Sequence, residues 1–213
     1  MSKGSNHPDT KQSILDAAEF LFATQGFRGA SLRAITGKAS VNVAAVNYHF
    51  GSKKSLLKAV IKRRILPLNQ LRRQRLEEVR ERAKKKGRTP DAKDILYAFI
   101  QPTLQFRETE PGAKEFVTFI GRSFADPDNT VRKVFIQFIK PMFQLLQEAM
   151  HEALPQNTHN QIFWRLQFTM GALFHTMHIC SDVTMEQLNI SALDAEALTE
   201  LILPYVTAGM KAK

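Results

Sequence analysis

The sequence predicts an all-α protein: an N-terminal three-helix helix-turn-helix module followed by a larger helical domain. Three observations predict it. Apolar residues recur at helical spacing through most of the 213 residues. Serine, threonine, aspartate and asparagine caps alternate with glycine and proline breaks at intervals that suit helices. No stretch shows the period-two alternation of a half-buried strand, and no internal repeat is present. The expected boundaries are residues 1–53 for the first module, with 1–9 as a disordered arm, and 54–213 for the second domain.

The elements follow in order. Ile14, Leu15, Ala18, Leu21 and Phe22 form one face of a first helix, which Gly26 should end, with Phe27 tucked back onto it. Ser31 is a good N-cap for a second helix to about Ala39, with Leu32, Ile35 and Ala39 inward. Val41 and Asn42 open a third helix that Gly51 closes. Ser52 caps a fourth, whose apolar residues run from Leu56 to Val79 and which Pro67 should kink. Helices are then expected at 91–107, 112–125, 129–154, 158–181 and 194–211. Asp91 and Asn129 serve as caps, and Thr158 to Gln161 has the capping-box form. Pro102, Pro141 and Pro204 fall inside these helices and should bend them.

A chain that is 44% hydrophobic can bury a sizeable core. Its one cysteine, Cys180, excludes an intrachain disulfide framework and fits a reducing compartment. The N-terminus has no apolar run and no segment reaches the apolar length of a membrane span, so a cytoplasmic location is expected. Residues 1–88 hold 20 Lys and Arg against 6 Asp and Glu, whereas the rest hold 10 against 14. A basic first part beside a mildly acidic second part suggests a polyanion-binding module carried by a partner domain. The segment 62–88 is the most basic, with twelve basic and three acidic residues. Two readings stand for it: a solvated helix face leading into a loop, or an added electrostatic contribution to DNA binding.

The residues from Asn42 to His49 make the sharper case. With Val46 inward, Asn42 and Phe50 fall about 40° to either side, and Ala44 and Tyr48 point nearly opposite. That outward face carries small residues, an amide and an aromatic, without long charged side chains. It suits a helix pressed into a groove better than one bathed in water. Ser31 and the backbone N–H groups beside it can receive a phosphate oxygen.

With the helices placed, Ser31–Leu57 resembles the DNA-binding region of the tetracycline-repressor (TetR) family. The run AVNYHFGSKKSLL from Ala45, the segment ILDAAEFLF from Ile14, and Gln25-Gly26-Phe27 carry the resemblance. Two positions depart from the family pattern. Ser40 stands where the turn usually has glycine, so the turn should carry backbone strain. Asn47 replaces a frequent aromatic, exchanging a phosphate contact for an amide or a base reader. The resemblance implies that Lys53, Tyr48, His49 and Ser31 contact phosphates, and that Asn42 lies in the same interface. It implies that Val43, Ala44, Ala45 and Asn47 face base edges, with Asn47 able to pair with adenine. For His49 a structural hydrogen bond at the helix end remains an equal alternative. Phe163–Arg165 and Pro204–Met210 are similar to elements of the family's fatty-acid-responsive branch.

The same resemblance implies a C-terminal domain that dimerises and binds a small ligand. The family pairs its last two helices across the dimer, and Gly171, Ala172, Ala208 and Gly209 would permit close approach. A domain rich in Phe and Met can hold an apolar ligand, although most such residues are ordinary core. Candidate pocket residues are Phe119, Phe124, Phe138, Met142, Trp164, Phe168 and His175. His175 and His178 share a helix face, but Cys180 lies about 140° from His175, so no metal site is expected. No cofactor is implied, and no nucleophile triad, paired carboxylates or phosphate-binding glycine loop supports catalysis. The expectation is a homodimeric, ligand-responsive repressor bound to palindromic double-stranded operator DNA. An apolar or amphipathic effector, such as a fatty acid or acyl-CoA, would release it. Two rivals remain: an apolar-ligand carrier docking on anionic membranes, and an architectural DNA-binding protein without an effector.

Overall fold

The structure, a computed structural model, describes residues 10–179, 189–191 and 193–212; the expected disordered arm at 1–9, Cys180 and most of the break at 182–193 lie outside them. Helix α1 (Thr10–Gly29) buries Ile14, Ala18 and Phe22. It is kinked at Gly26, whose φ 73° and ψ 169° are not helical, but one more turn follows before Ala30. The expected end at Gly26 is therefore a break inside the helix. Helix α2 (Leu32–Lys38) starts at Ser31, whose Oγ accepts from the Ala34 N–H at 3.1 Å. Helix α3 (Val43–Phe50) starts at Asn42, whose Oδ1 accepts from the Ala45 N–H at 2.9 Å. Helix α4 (Lys53–Lys85) continues through Pro67 for 33 residues, capped by Ser52.

The second part comprises α5 (Ala92–Thr109), α6 (Ala113–Ala125), α7 (Thr130–Ala153), α8 (His159–Ile179) and α9 (Ala195–Lys211). Asp91 caps α5, and Thr158 and Gln161 exchange both capping-box bonds at the start of α8. At α7 the expected cap is displaced by one residue: Asn129 makes no cap bond, and Asp128 accepts from the Thr130 N–H and hydroxyl at 3.0 and 2.6 Å. Among the described residues no strand occurs, and no helix is long and apolar enough to cross a membrane.

The apolar residues gather into two cores that do not respect a boundary at residue 53. The first joins α1, α2 and α3 to the opening half of α4 through Leu56, Leu57, Val60, Ile61 and Ile65. It also takes in Phe116, Phe119 and Ile120 of α6 and Val131, Val134 and Phe135 of α7. Phe22 and Phe119 stack across that junction with centroids 5.9 Å apart. The second core packs Leu76 and Val79 of α4 with α5, the later part of α7, α8 and α9. Helix α4 therefore serves both.

An ion-pair cluster reinforces the first core. Glu19 of α1 is only 5% exposed and accepts from Arg64 Nε of α4 at 2.7 Å and from Arg63. Arg63 also bonds Asp16 at 2.5 Å. Burying a carboxylate is costly unless it is paired, and removing one partner leaves the others uncompensated. Glu19→Ala, which strands two partly buried guanidinium groups, should lower the unfolding free energy by roughly 2–4 kcal/mol in urea denaturation. Glu19→Gln, which keeps an acceptor, should lose less. A loss below about 0.5 kcal/mol for Glu19→Ala would place the cluster among weak surface pairs.

Candidate nucleic-acid interface

The turn between α2 and α3 closes by hydrogen bonds from the Val41 N–H to the Thr36 carbonyl at 3.0 Å and from the Ser40 N–H to Gly37 at 3.2 Å. These are the paired bonds of a Schellman exit, which places Ser40 in the left-handed region at φ 55°. Helix α3 leaves this turn with Val46 fully buried and Ala45 and Phe50 half-buried. Val43, Ala44, Asn47 and Tyr48 are exposed on its outer side, Tyr48 at 86%. The wheel read from the sequence is thus the orientation in the fold.

The expected phosphate contacts sit around this helix in different states. Ser31 is exposed and uses its lone pair for the α2 cap, which leaves the hydroxyl proton to donate outward. Asn42 is exposed, but its Oδ1 is engaged by the α3 cap. His49 is half-buried between Tyr48 and Phe50, with ring centroids at 5.0 and 6.2 Å. Lys53 is turned inward: its ammonium donates to the Arg28 carbonyl at 3.3 Å and lies 4.7 Å from the Phe27 ring centre. Partial burial lowers its pKa from the ordinary lysine value. Lys53 therefore braces the end of α1, and two of its three N–H donors remain for a phosphate. Exposed Arg33, Lys38, Lys54 and Lys58 complete the positive surface of the module. The net charge signalled Arg33, Lys38 and Lys58, and Lys54 lies in the run from Ala45 that carries the family resemblance.

Arg28 ties the same corner to the second part. It donates to Asp128, between α6 and α7, at 2.9 Å. The Thr130 hydroxyl, Arg28 and the Thr130 N–H hold the Asp128 carboxyl at a pKa of about 2.

The C-terminal candidates separate. Phe119 is buried in the first core and Met142 in the second; Phe138 is half-buried. Phe124 is partly exposed and meets Phe135 and Phe174 edge-on. Trp164 (53% exposed), Phe168 (70%) and the exposed His175 do not line an interior pocket. Spaced four, seven and eleven residues apart with Gly171, they form an outer stripe of α8. Helix α9 carries a matching stripe of Leu201 (65%), Tyr205 (74%), Ala208 and Gly209. The correction is physical: inward positions of α8 belong to Ile162, Leu166, Leu173 and Met177, Met170 and Phe174 pack beside them, and Trp164, Phe168 and His175 are left outside. Ala172 is half-buried beside the stripe, and the side chain of His178 lies outside the described residues.

Comparison with known proteins agrees with this architecture. Residues 14–60 match the family described as bacterial regulatory proteins, tetR family, and residues 97–209 match the tetracyclin repressor-like C-terminal domain. The chain belongs to the TetR family. The transposon Tn10 TetC protein of Escherichia coli is 36% identical over 64 residues, covering 30% of this chain and 32% of that protein. The matched stretch spans less than half the length of each curated relative it matches. Among solved structures, fatty acid degradation regulator FadR from Bacillus halodurans superimposes with a TM-score of 0.71 at 15% identity, covering 98% of this chain and 100% of that one. FadR from Bacillus subtilis, solved in complex with stearoyl-CoA, gives 0.61 at 16% identity over 93% and 98% of the chains.

Within this TetR-family protein, the serine in the turn stands out against the exit of α4. There the same pair of bonds, from Arg88 to Ala83 and from Gly87 to Lys84, places Gly87 at φ 60°. Glycine takes that conformation freely, whereas a Cβ there costs about 1–2 kcal/mol. Ser40→Gly should therefore stabilise the protein by about 0.5–1 kcal/mol once the added freedom of the unfolded chain is counted. Thermal unfolding should report a rise of roughly 1–4 °C. An unchanged or lowered Tm would mean that the Ser40 side chain offsets its own strain.

Proposed function

We propose that this TetR-family chain is a homodimeric, ligand-responsive transcriptional repressor that places α3 in the major groove of palindromic operator DNA. The carrying observation is the outer face of α3. A tyrosine exposed at 86%, beside Val43, Ala44 and Asn47 on a capped helix, is surface with no role inside the fold. Tyr48, His49, Ser31 and Lys53 contact phosphates in this reading, while Asn47 reads a base edge and Val43, Ala44 and Ala45 sense shape and thymine methyls.

The stripes on α8 and α9 support the dimer. Trp164, Phe168, Leu201 and Tyr205 are large apolar side chains exposed around small Gly171, Ala208 and Gly209, so a second copy can approach closely and cover them. Two recognition helices can then meet half-sites about 34–36 Å apart on one face of the duplex.

An apolar or amphipathic effector in the C-terminal domain would act by changing that spacing. The first core supports such coupling, because α6 and α7 contribute to the same cluster as α1, α2 and α3. Glu19 meets Arg63 and Arg64 beside Gly112, where a Cβ would stand 2.8 Å from the Arg64 guanidinium; a shift of α6 there is felt by α1 and α4 together. An effector that lowers operator affinity must itself bind the DNA-bound form more weakly by the same factor. The FadR complex with stearoyl-CoA supports an acyl ligand as the class to try first.

The basic segment 62–88 is read as a solvated face in this arrangement. Arg63, Arg64 and Arg80 are paired with carboxylates. Lys84, Lys85 and Lys86 lie roughly 45 Å along α4 from its start at the module, several screening lengths away at physiological salt.

Selection of binding sites from random DNA tests the reading directly. A palindrome should emerge, and Asn47→Ala should relax one symmetric base pair by about 1–3 kcal/mol. Tyr205→Glu should give a monomer in sedimentation velocity, with operator affinity lost. Changing Lys84, Lys85 and Lys86 to Ala should leave the salt slope of binding unchanged. Failure to enrich any sequence would overturn operator recognition, and a monomeric wild type would overturn the dimer.

A further inference from the structure

Among the described residues Arg72 has no counter-ion. It lies in the middle of α4, 4% exposed, against α5. Its guanidinium donates to Asn69 Oδ1 at 2.9 Å and to Thr103 Oγ1 at 2.6 Å, and it rests over the Phe99 ring at 4.1 Å. Both acceptors are neutral. Nε is buried without a partner, and among the described residues no carboxylate is within ion-pair distance. Desolvation lowers its pKa to about 9, which leaves it charged at neutral pH.

The surroundings are arranged to hold the group in place. The Thr103 hydroxyl donates a hydrogen bond to the Phe99 carbonyl at 2.7 Å, so its oxygen is left to accept from Arg72. Asn69 donates to the Phe138 carbonyl of α7 at 2.9 Å, which fixes its oxygen toward Arg72. The fork is thus oriented by α4, α5 and α7 together, with N–H capacity unspent; arginine has five N–H donors and two of its nitrogens are in use. Phe138 and, one turn on, Met142 supply apolar surface from α7. Three other arginines of α4 differ: Arg63, Arg64 and Arg80 each reach a carboxylate within the chain. A buried cation normally does so too.

We propose that Arg72 is the anion receptor of the effector site, taking the carboxylate of a single-chain amphiphile whose tail lies among the apolar side chains between α4, α5 and α7. The inference rests on the effector reading above and narrows it. A carboxylate is planar and carries the charge that can accept a fork of two N–H bonds, whereas the thioester of an acyl-CoA is neutral at the corresponding position. The free acid, not the thioester, is therefore the form this site distinguishes. Because Arg72 stands on the same unbroken helix as Lys53 and Leu57, neutralising it acts on the element that enters the DNA-binding module.

Titration calorimetry and operator release with dodecanoate, dodecanol and dodecanoyl-CoA test this on the full chain and on Arg72→Met and Arg72→Lys. Dodecanoate should bind the wild type best and release DNA. Arg72→Met should weaken dodecanoate roughly 10- to 100-fold, the worth of a charged hydrogen bond, and leave dodecanol unchanged. Arg72→Lys should fall between, keeping charge without the fork. The ligand-free Tm of Arg72→Met should be equal to or above the wild type, since a buried unpaired charge is removed. A lowered Tm with dodecanoate affinity intact would make Arg72 a structural residue and overturn the inference. Dodecanol or dodecanoyl-CoA matching dodecanoate in wild type and variant alike would overturn it too, while the effector reading stands. If none of the three binds, the effector reading itself falls.

Discussion

Helix α4 has to satisfy two cores at once, and the buried carboxylate of Glu19 is what locks its first half in place. Glu19 arrives from α1, and Arg63 and Arg64 arrive from α4 on consecutive residues, so the pairing sets both the rotation and the height of one helix against the other. Around it, Leu56, Leu57, Val60 and Ile61 are fully buried against α1, α2 and α3. Hydrophobic contact alone tolerates sliding; a buried charge does not, because a shifted carboxylate would lose its donors without regaining water. The module is therefore held rigidly to the helix that leads into the second part.

That rigidity gives the position of Arg72 its meaning. Along one helix Arg63, Arg64 and Arg80 meet carboxylates, whereas the buried Arg72, which meets none among the described residues, lies where α4 passes between α5 and α7. Nothing about arginine chemistry differs among them; only the partners do. A charge left uncompensated in a closed interior weakens the ligand-free fold locally, and a ligand that supplies the missing anion recovers that stability on binding. The same helix then carries the change to α3 through a core shared with α6 and α7.

Much of this was legible in the sequence. The all-α class, the helix order and the orientation of α3 follow from local rules: Val46 lies inward because a 3.6-residue period leaves it facing Ile14 and Ile35, and Ser31, Ser52, Asp91 and Thr158 cap because their oxygens reach N–H groups two or three residues on. The strained turn at Ser40 was visible as a missing glycine, and the structure gives it φ 55°. What misled was composition. Trp164, Phe168 and His175 suggested a pocket because they are large and stand among phenylalanines, but periodicity says only that residues share a face, not whether that face meets the core. Asn129 was the expected cap of α7, and the backbone geometry gives the role to Asp128.

The sequence by itself determined the elements, the caps and the exposed face of α3, because each depends on residues within about one or two helical turns. Tertiary structure alone decided which charges are paired. Glu19 and Arg63 are separated by 44 residues, Arg72 and Thr103 by 31, and Arg28 and Asp128 by 100. No local rule distinguishes Arg63 from Arg72, since both are basic residues on the inward side of a long helix. Their difference arises only when α1 brings a carboxylate to one and α5 brings a hydroxyl to the other.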